Sequence, residues 1–386
     1  LDHCGRLPIL ENKGFMGDVY MTTPTADLAM LSLLDSAKIA KEDHPERILY
    51  DKETVYKFIN RFRVVNYGQT FTVSDFKITL RDAGHILGSS SVEVAVDGQI
   101  IVFSGDLGNT PEDLTKPTEL IKSADIVVIE STYGGRVHPP GEPEEMIQRE
   151  INLVEQTGGT LLIPAFSLER TQELLHIISH LKSQGQIRAE TPVFLDSPMA
   201  EKATNIYEKH KSFLNAEIRK DFMTSDPFSF PGLQVCETRK DSASLDIQNG
   251  VKVIIAGAGM MTGGRIVGHA KALLDNPHTR LLIVGYQGEQ TLGREILMGE
   301  RDVNIDGQRV HINATVTDIQ VMSSHADQPK LMNWLKAIRG VRKVIITHGE
   351  DGPRHILSGQ IKADLSISDI AIPHLDEEID LSLRSV

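Results

Sequence analysis

The stretch Ile100-Ile101-Val102-Phe103-Ser104-Gly105-Asp106-Leu107-Gly108 decides the fold of this chain. Its four apolar residues, followed by turn formers, predict a buried strand that ends abruptly. The carboxylate of Asp106 then leaves the C-terminal end of that strand, which is where open α/β sheets bind their ligands. Histidines follow two other strand-like segments, at His85 and at His348. A carboxylate and several imidazoles at strand ends suit zinc-type ions, so the sequence predicts a metal site there.

Length and composition limit the classes of protein that the chain can be. Its 386 residues are enough for two domains. A net charge of −13 argues against wholesale electrostatic binding to nucleic acid, but it leaves room for a local basic groove. With Cys4 and Cys236 as the only cysteines, we expect no disulfide framework and a reducing, cytoplasmic environment. The sequence shows neither a signal peptide nor an apolar run of roughly 18 residues, which predicts no membrane association.

The predicted pattern of strands and helices changes along the chain. Residues 62–105 are rich in strand patterns, and Asp97-Gly98 predicts a hairpin turn between the last two strands. After the Pro/Gly/Glu-rich residues 139–145, strands and helices alternate, which favours a doubly wound parallel sheet. Strand alternation returns at 308–322 and precedes the segment that ends at His348. The chain is therefore predicted to leave one domain, form a second, and come back.

Five residues are candidate metal ligands, namely Asp2, His3, His85, Asp106 and His348. A single histidine such as His3 or His85 is as well explained by an ordinary core or surface position. Taken together with their glycine-flanked settings, however, the five indicate converging ligands for divalent ions. A carboxylate can bridge two ions about 3.5–4 Å apart, the geometry of two-metal hydrolysis. Asp106 is the best candidate for such a bridge.

The chain resembles the metallo-β-lactamase superfamily and, within it, the β-CASP branch of RNA-processing nucleases, which includes ribonuclease J and the nuclease subunit of the cleavage and polyadenylation machinery. Three segments resemble ligand motifs of the superfamily, the first of them being the end of His-x-His-x-Asp-His. Three further segments resemble the motifs that mark the β-CASP branch. In chain order the six are Asp2-His3, Asp82–Ser89, Phe103–Asp106, Glu130–Gly134, Ser324–Asp327 and Thr347–Glu350.

The resemblance implies a fold and a domain order. The fold would be an α/β metallo-β-lactamase αββα sandwich with an inserted doubly wound parallel-sheet β-CASP domain. Residues 1–137 would be the first part of the metallo-β-lactamase domain, 138–312 the insert, and 313–386 the return. RNA would be bound in a cleft between the two domains.

The resemblance also implies roles for single residues. Asp2, His3, Asp106 and His348 would form one zinc site, and His85 with the shared Asp106 would contribute to a second. His325 would be the general acid, and Glu130 would fix the orientation of a histidine. The expected catalytic residues are thus Asp2, His325 and Glu130. The plainer alternatives are a helix cap at His325-Ala326-Asp327 and a surface acid at Glu130.

One departure from the family pattern concerns the start of the sequence. The two leading histidines of His-x-His-x-Asp-His and the strand before them are absent, and Leu1 is not a typical first residue. We therefore expect upstream residues to be missing, with two zinc ions in the full protein and one incomplete site in this chain. The alternative is that the polypeptide does not hold both ions.

The insert contains a second set of candidate residues. Ala256–Arg265 is a glycine-rich loop between a predicted strand and a helix, where backbone N–H groups suit a phosphate. Simple helix–strand packing explains such a pattern about as well. The candidates for substrate contacts in and around this loop are Gly263, Gly264, Arg265, Arg294 and Ser197.

The function expected from the sequence is zinc-dependent hydrolysis of RNA phosphodiester bonds, with RNA as partner and a homodimer as a possible assembly. One alternative is a catalytically impaired RNA-binding or scaffold member of the same family. Another is a small-molecule hydrolase of the wider superfamily, which the long insert argues against. The sequence does not distinguish endonuclease from exonuclease cleavage.

Overall fold

A computed structural model of the protein describes residues 2–43, 45–109 and 114–381. The chain divides into two compact units. Unit 1 comprises Leu1–His138, Ser212–Asn215 and Ser324–Val386, and unit 2 comprises Pro139–Lys211 and Ala216–Ser323. Among the described residues, no helix is long and apolar enough to cross a membrane.

The strands of the described residues are named in chain order. They are β1 (Val19–Met21), β2 (Phe62–Val64), β3 (Thr70–Val73), β4 (Phe76–Asp82), β5 (Ser90–Val96), β6 (Gln99–Phe103), β7 (Ile126–Ile129), β8 (Thr160–Pro164), β9 (Val193–Asp196), β10 (Leu233–Val235), β11 (Lys252–Ala256), β12 (Thr279–Ile283), β13 (Asp302–Ile305), β14 (Gln308–His311), β15 (Thr315–Asp318), β16 (Lys343–Ile346) and β17 (Asp369–Ala371).

The α-helices of the same residues are named likewise. They are α1 (Ile9–Asn12), α2 (Thr23–Asp43), α3 (Lys52–Ile59), α4 (Pro143–Thr157), α5 (Arg170–Ser183), α6 (Pro198–Lys209), α7 (Ala216–Asp221), α8 (Arg239–Ile247), α9 (Arg265–Leu273), α10 (Leu292–Leu297), α11 (Gln328–Ala337) and α12 (Asp351–Leu365).

Unit 1 is built on a seven-stranded mixed sheet of order β17-β16-β7-β6-β5-β4-β3. The strands from β17 to β6 are parallel, and those from β6 to β3 are antiparallel. Strands β4, β6, β7 and β16 consequently run in the same direction and end at the same edge of the sheet. The turn Asp97-Gly98 joins β5 to β6 as an antiparallel hairpin, as the sequence predicted.

The core of unit 1 explains why its central strands are continuous apolar runs. Val102 of β6, Val127 of β7 and Val344 of β16 are fully buried, and they belong to one cluster with Leu335 of α11 and Leu357 of α12. Parallel strands covered by helices lose the polar alternation of a half-exposed strand. Burial of each such side chain contributes about 1.5–3 kcal/mol. The buried central strands thus fix the positions of the polar loops that follow them at the sheet edge.

A second, two-stranded parallel sheet pairs β1 with β2. Tyr20 of β1 stacks on Phe71 of β3, with the ring centroids 4.7 Å apart. Helices α2 and α3 pack together through the buried Leu33 and Val55. The small sheet therefore contacts the large sheet at its edge strand β3.

Unit 2 contains a six-stranded sheet of order β10-β9-β11-β8-β12-β15, in which every pair is parallel. All residues of β8, β9 and β11 are buried, so both faces of the sheet are covered. Leu162 and Ile254 share one cluster with residues of α8 and α9, and α4, α5 and α6 form a second group of contacting helices. The predicted α/β class with a parallel sheet in the insert is confirmed.

The limits of unit 2 differ from those expected for the insert. The return to the first domain was expected at residue 313, but β15 pairs with β12, with Val316 opposite Leu281. Unit 2 therefore continues to Ser323. In addition, Leu214 pairs with Thr115, which places residues 212–215 in unit 1. A strand pattern shows that a segment is a strand, but it does not show which sheet the strand joins.

Candidate metal centre

Three polar residues follow three adjacent strands of unit 1. Asp106 follows β6, Glu130 follows β7, and His348 follows β16. His85 comes after β4, whose direction matches theirs. The hydroxyl of Ser89 accepts hydrogen bonds from the backbone N–H groups of His85 and Ile86, at 3.1 and 3.2 Å, and so shapes the His85 turn. The side chains therefore gather at one edge of the sheet because the strands are parallel.

The turn after β6 sets the position of the Asp106 carboxylate. Gly105 has φ +59°, and a Cβ at this position would lie 2.6 Å from the carbonyl oxygen of Ser90. Only glycine fits this turn without strain. The backbone N–H of Leu107 donates to Oε1 of Glu130 at 2.7 Å, which ties the turn to the neighbouring strand end.

His348 has a strained backbone that points its ring into the same region. Its φ is +50°, which lies in the left-handed region that non-glycine residues rarely adopt. The N–H of Ser131 donates to the carbonyl oxygen of His348 at 2.9 Å, and the Ser131 hydroxyl donates to that of Thr347 at 2.9 Å. The Nδ1 atom of His348 lies 3.1 Å from the Thr132 hydroxyl oxygen. The other ring nitrogen, Nε2, therefore faces the Asp106 carboxylate.

The first group of potential ligand atoms belongs to Asp2, His3, Asp106 and His348. Nε2 of His3 lies 3.0 Å from Oδ2 of Asp106 and 3.0 Å from Nε2 of His348. Nε2 of His348 lies 3.5 Å from Oδ1 of Asp106 and 3.4 Å from Oδ2 of Asp2. Asp2 is exposed, whereas Asp106 is 13% exposed. These four side chains, 346 positions apart at the extremes, converge on one point.

The second group belongs to His85, Asp106 and His325. Nε2 of His85 lies 3.8 Å from Oδ2 of Asp106. Its Nδ1 lies 3.0 Å from the carbonyl oxygen of Ser324, which orients the ring. The rings of His85 and His325 are 4.4 Å apart between centroids. Asp106 is thus common to both groups, which is the position that a bridging carboxylate would need.

His325 reaches the site on a loop that pairs with the residues after Asp106. The N–H of Ala326 donates to the carbonyl oxygen of Leu107 at 2.7 Å. Nδ1 of His325 lies 3.3 Å from the carboxylate of Glu130. Glu130 is 1% exposed, so the alternative of a surface acid is wrong. The helix cap expected as an alternative in His325-Ala326-Asp327 is present at Asp327, whose side chain accepts a hydrogen bond from the backbone N–H of Lys330.

The charges of the site shift the pKa values of its imidazoles in opposite directions. Burial and the neighbouring His325 lower the pKa of His85 to about 4. The hydrogen bond with Asp2 raises the pKa of His348 to about 9. Burial alone would lower the pKa of His325, but the charge of Glu130, the hydrogen bond with Glu130 and the charge of Asp106 together outweigh burial and raise that pKa. The pKa of His85 is thus lowered, whereas that of the neighbouring His325 is raised.

The neighbouring imidazoles lower the pKa values of the two carboxylates, Asp106 and Asp2. Burial would raise the pKa of Asp106, yet the hydrogen bond with His3 and the nearby imidazoles hold it well below its usual range. The hydrogen bond with His348 lowers the pKa of Asp2 as well. Both groups are therefore ionised at neutral pH, the form in which a carboxylate binds a metal.

The donor set fits divalent ions of the zinc type. Among the described residues, the Oδ1 atom of Asp106 is buried and accepts no hydrogen bond. A buried carboxylate oxygen without a donor is costly unless a cation balances it. Imidazole nitrogens and carboxylate oxygens that converge from several loops are the ligands zinc prefers.

The expected substrate-contact residues of unit 2 lie at the C-terminal edge of its parallel sheet. Ser197 caps α6, and its hydroxyl oxygen lies 3.2 Å from that of Ser167. Gly264 precedes α9 with φ +72°, where a Cβ would lie 2.5 Å from the Gly257 carbonyl oxygen. A Cβ at Gly263 would meet open space. This edge is where parallel α/β sheets bind ligands.

The two arginines of this set differ. The guanidinium group of Arg265 donates to the carboxylate of Asp196 and to the carbonyl oxygens of Cys236 and Glu237. It is therefore engaged inside unit 2, and this network opposes its expected contact with phosphate. Arg294, by contrast, lies in the first turn of α10, and within the described ranges its guanidinium group has no hydrogen-bonding or ion-pair partner. Gln287 lies in the loop before α10, and its side chain donates to the Gly259 carbonyl oxygen at 2.8 Å, which joins that loop to the glycine-rich loop.

Two residues near the metal centre were missed by the sequence analysis. Thr132 orients His348 through its hydroxyl group. Nε2 of His138 lies 3.1 Å from the carbonyl oxygen of His325, and its backbone N–H donates to Asp327. Thr132 lies inside the quoted Glu130–Gly134 motif, so that motif was the available signal. His138 follows no strand and precedes two prolines, so the sequence pattern around it does not indicate a functional residue.

A mixed α/β sheet whose strand ends gather carboxylates and imidazoles is the arrangement of a metallo-hydrolase. Comparisons with known families agree with this class. Residues 171–296 match the Beta-Casp domain, and residues 309–354 match the Zn-dependent metallo-hydrolase RNA specificity domain.

Comparisons with curated proteins cover most of the chain. It is 35% identical over 355 residues to "Ribonuclease TTHA0252" of Thermus thermophilus, across 91% of this chain and 79% of that protein. It is 31% identical over 356 residues to an "RNase J-like protein" of Methanocaldococcus jannaschii, across 91% and 79%. It is also 31% identical over 385 residues to "RNase aCSPSF2" of Saccharolobus solfataricus, across 99% and 73%. The chain belongs to the β-CASP metallo-β-lactamase family of RNA-processing nucleases, as its motifs indicated.

Proposed function

We propose that this protein is a zinc-dependent ribonuclease that hydrolyses RNA phosphodiester bonds at the metal centre of unit 1. The observation that carries the proposal is the position of the Asp106 carboxylate, within 3.8 Å of the Nε2 atoms of His3, His85 and His348. Membership of a family of RNA nucleases supports RNA as the substrate. A location of the RNA between the two domains and a cytoplasmic setting stay predictions.

Two groups of side chains would hold the ions. Asp2, His3, Asp106 and His348 would hold one, and His85 with the shared Asp106 would contribute to the other. When bound, zinc-type ions neutralise the charge that develops on the phosphate and lower the pKa of water beside it. Asp2 is the most exposed of these groups, at 72%. As one of the ligands, its carboxylate would contribute negative charge to this group.

His325 would transfer the proton that the leaving ribose oxygen needs. Its Nδ1 atom faces Glu130, so the transferred proton is the one on Nε2. The charge of Glu130 raises the pKa of His325, which favours the protonated ring that a general acid needs. Glu130 also accepts a hydrogen bond from Leu107, and it therefore fixes His325 relative to the Asp106 turn. In this proposal Glu130 is a positioning residue.

Unit 2 would bind the RNA backbone. Arg294 and the N–H groups around Gly263 and Gly264 would contact the phosphates at the edge of the parallel sheet. Ser197 is 6% exposed and its hydroxyl group caps α6, so it would support this edge from below the surface. A planar guanidinium group and backbone N–H groups are common phosphate ligands. Arg265 is left out of this set because Asp196 and two carbonyl groups engage it.

The direct experiment is an assay on RNA labelled at the 5′ or the 3′ end, with the metal content measured on the same sample. Zinc in the protein and cleavage that a chelator abolishes and zinc restores would support the proposal. Cleavage that a chelator leaves unchanged would refute the metal dependence. RNA binding without zinc, and without cleavage when zinc or manganese is added, would show an RNA-binding scaffold instead.

A further inference from the structure

A third group of potential metal ligands lies in unit 2, apart from the residues discussed so far. Nε2 of His176 lies 2.9 Å from Oδ2 of Asp221, and Nε2 of His180 lies 3.1 Å from the same oxygen. The two imidazole rings are 4.2 Å apart between centroids. Three potential ligand atoms therefore meet at one point.

The local sequence explains how these side chains meet. His176 and His180 are four residues apart on α5, so they lie on the same face of the helix, one turn apart. Asp221 is the last residue of α7. The N–H groups of Thr224 and Ser225 donate to the carbonyl oxygen of Asp221 at 2.9 and 3.0 Å, which fixes the turn that presents its side chain.

The spacing of the three atoms is close to that of a zinc site. Zinc–nitrogen and zinc–oxygen bonds of about 2.0–2.1 Å place neighbouring tetrahedral ligands roughly 3.3 Å apart. The two nitrogen–oxygen distances of 2.9 and 3.1 Å differ from this by a few tenths of an ångström. Small rotations of the side chains would therefore suffice to admit an ion. Two histidines at this helical spacing also form half of the zinc ligands in the His-Glu-x-x-His motif.

The exposure of the cluster would let an ion enter and keep one coordination position for water. His176 is 12% exposed, but His180 and Asp221 are 33% and 29% exposed. Sites with three protein ligands commonly complete their coordination with a water molecule. Two imidazoles and one carboxylate favour zinc, cobalt or nickel over magnesium, which prefers oxygen ligands alone.

We propose that His176, His180 and Asp221 form a separate binding site for one zinc-class divalent ion, which holds α5 against α7. The ion would replace the hydrogen bonds between the two imidazoles and the carboxylate. The proposal does not depend on RNA hydrolysis, because none of the three side chains belongs to the metal centre of unit 1.

The test uses the whole protein with the metal centre of unit 1 disabled by Asp106→Asn and His348→Asn. Cobalt is titrated as the probe, because its visible absorption reports tetrahedral coordination. We expect one equivalent to bind. The additional substitutions His176→Gln or His180→Gln should weaken that binding by more than the roughly 10–100-fold loss typical of outer-shell changes. His278→Gln, an exposed histidine of unit 2, is the matched control and should leave binding unchanged.

Two results would overturn the proposal. One is the absence of stoichiometric cobalt or zinc binding in the disabled background while unit 2 keeps its native circular dichroism. The other is binding that neither glutamine variant weakens. His180→Gln is the safer of the two variants for folding, because His180 is the more exposed histidine.

A second measurement separates this site from the metal centre of unit 1. In the otherwise unchanged protein, His180→Gln should lower the zinc content by one ion, and it should leave RNA cleavage at the level of the parent protein. Zinc should also raise the thermal unfolding temperature of the disabled protein, and His180→Gln should remove that increase. An unchanged zinc content in His180→Gln would contradict the proposal.

Discussion

The Nδ1 atom of His325 lies 3.3 Å from the carboxylate of Glu130, whose side chain is 1% exposed. A charge buried this deeply is costly unless it is paired, and the imidazole is its partner. The contact raises the pKa of His325 and leaves Nε2 as the ring nitrogen that does not face Glu130. The same imidazole lies 4.4 Å from the ring of His85, between centroids. We therefore propose that His325 is a proton donor beside the metal centre; the alternative is a ligand within it, and the two roles can be separated.

The substitution His325→Ala should reduce RNA cleavage by roughly 10²–10⁴-fold, because it removes the general acid. The zinc content should stay unchanged, because His325 is not among the proposed ligands. Cleavage rates and zinc content measured on the same sample check both statements. His355→Ala, at an exposed position of α12, is the control.

Either of two results would contradict the proposed role of His325. Turnover close to that of the parent protein would refute the role of general acid. The loss of one zinc ion would show that His325 is a ligand together with His85 and Asp106, which the geometry permits.

The substitution Glu130→Gln should shift the pH profile of cleavage. The charge of Glu130 raises the pKa of His325, so its removal lowers that pKa. A smaller fraction of His325 is then protonated at each pH, and the decline of the rate at high pH should begin at a lower pH. The glutamine oxygen can still accept the hydrogen bond from Leu107. A high-pH decline at the same position as in the parent protein would show that Glu130 does not tune His325.

The substitution Asp106→Asn should lower the zinc content more than the loss of any one histidine ligand. The carboxylate of Asp106 faces both groups of ligand atoms, whereas each histidine ligand faces one. A neutral amide also binds zinc-type ions more weakly than a carboxylate does. Zinc content by elemental analysis is the measurement, and Asp75→Asn, in an exposed turn, is the control. A full complement of zinc in Asp106→Asn would exclude the bridging role.

The substitution Arg294→Gln should weaken RNA binding without affecting the metal centre. Loss of one charged contact to phosphate costs about 1 kcal/mol, or roughly a fivefold increase in Kd. The slope of log K against log salt should fall by about 0.7, the value for one contact with a single strand. Binding can be measured by fluorescence anisotropy at several salt concentrations, with Arg149→Gln on the exposed face of α4 as the control. Equal effects of the two variants would argue against a specific contact at Arg294.

The stability of unit 2 should decrease at alkaline pH because of His269. This side chain is 1% exposed and lies between Asp196 and Asp246, at 2.7 and 2.5 Å. Burial would lower its pKa, but the two carboxylates raise it from 6.5 to about 9. A raised pKa in the folded state adds stability that is complete below the unfolded value and is lost as the pH rises through the folded value.

The free energy of unfolding should therefore fall by on the order of 1–3 kcal/mol between pH 6.5 and pH 9. Urea denaturation of the parent protein and of His269→Gln checks this, because the difference between them should shrink as the pH rises. His278→Gln should follow the parent protein. A difference that does not depend on pH would show that His269 is neutral in the folded protein.

The sequence was sufficient to predict the elements that depend on local signals. The apolar run of β6 and the turn at Gly105 predicted where Asp106 leaves the sheet, and the same argument applied to His348. The parallel order of β6, β7 and β16 then brought these side chains together. Glu130 was predicted through its motif, although its burial and its contact with His325 required the structure.

Long-range features could not be predicted from these patterns. The pairing of β15 with β12 depends on which sheet offers an open edge, and a short strand pattern does not contain that information. Arg265 looked suitable for a phosphate, but its partners, Asp196 and two carbonyl groups, come from distant parts of the chain. The His176–His180 pair was visible as a helical spacing, whereas its third member, Asp221, follows 41 positions after His180.

Zinc-edge anomalous diffraction from crystals of the protein soaked with zinc tests the central claim most directly. We expect anomalous peaks within coordination distance of Asp106, one of them shared with His3 and His348. If two ions bind, their peaks should lie about 3.5–4 Å apart. Zinc-loaded crystals without an anomalous peak next to Asp106 would contradict the account.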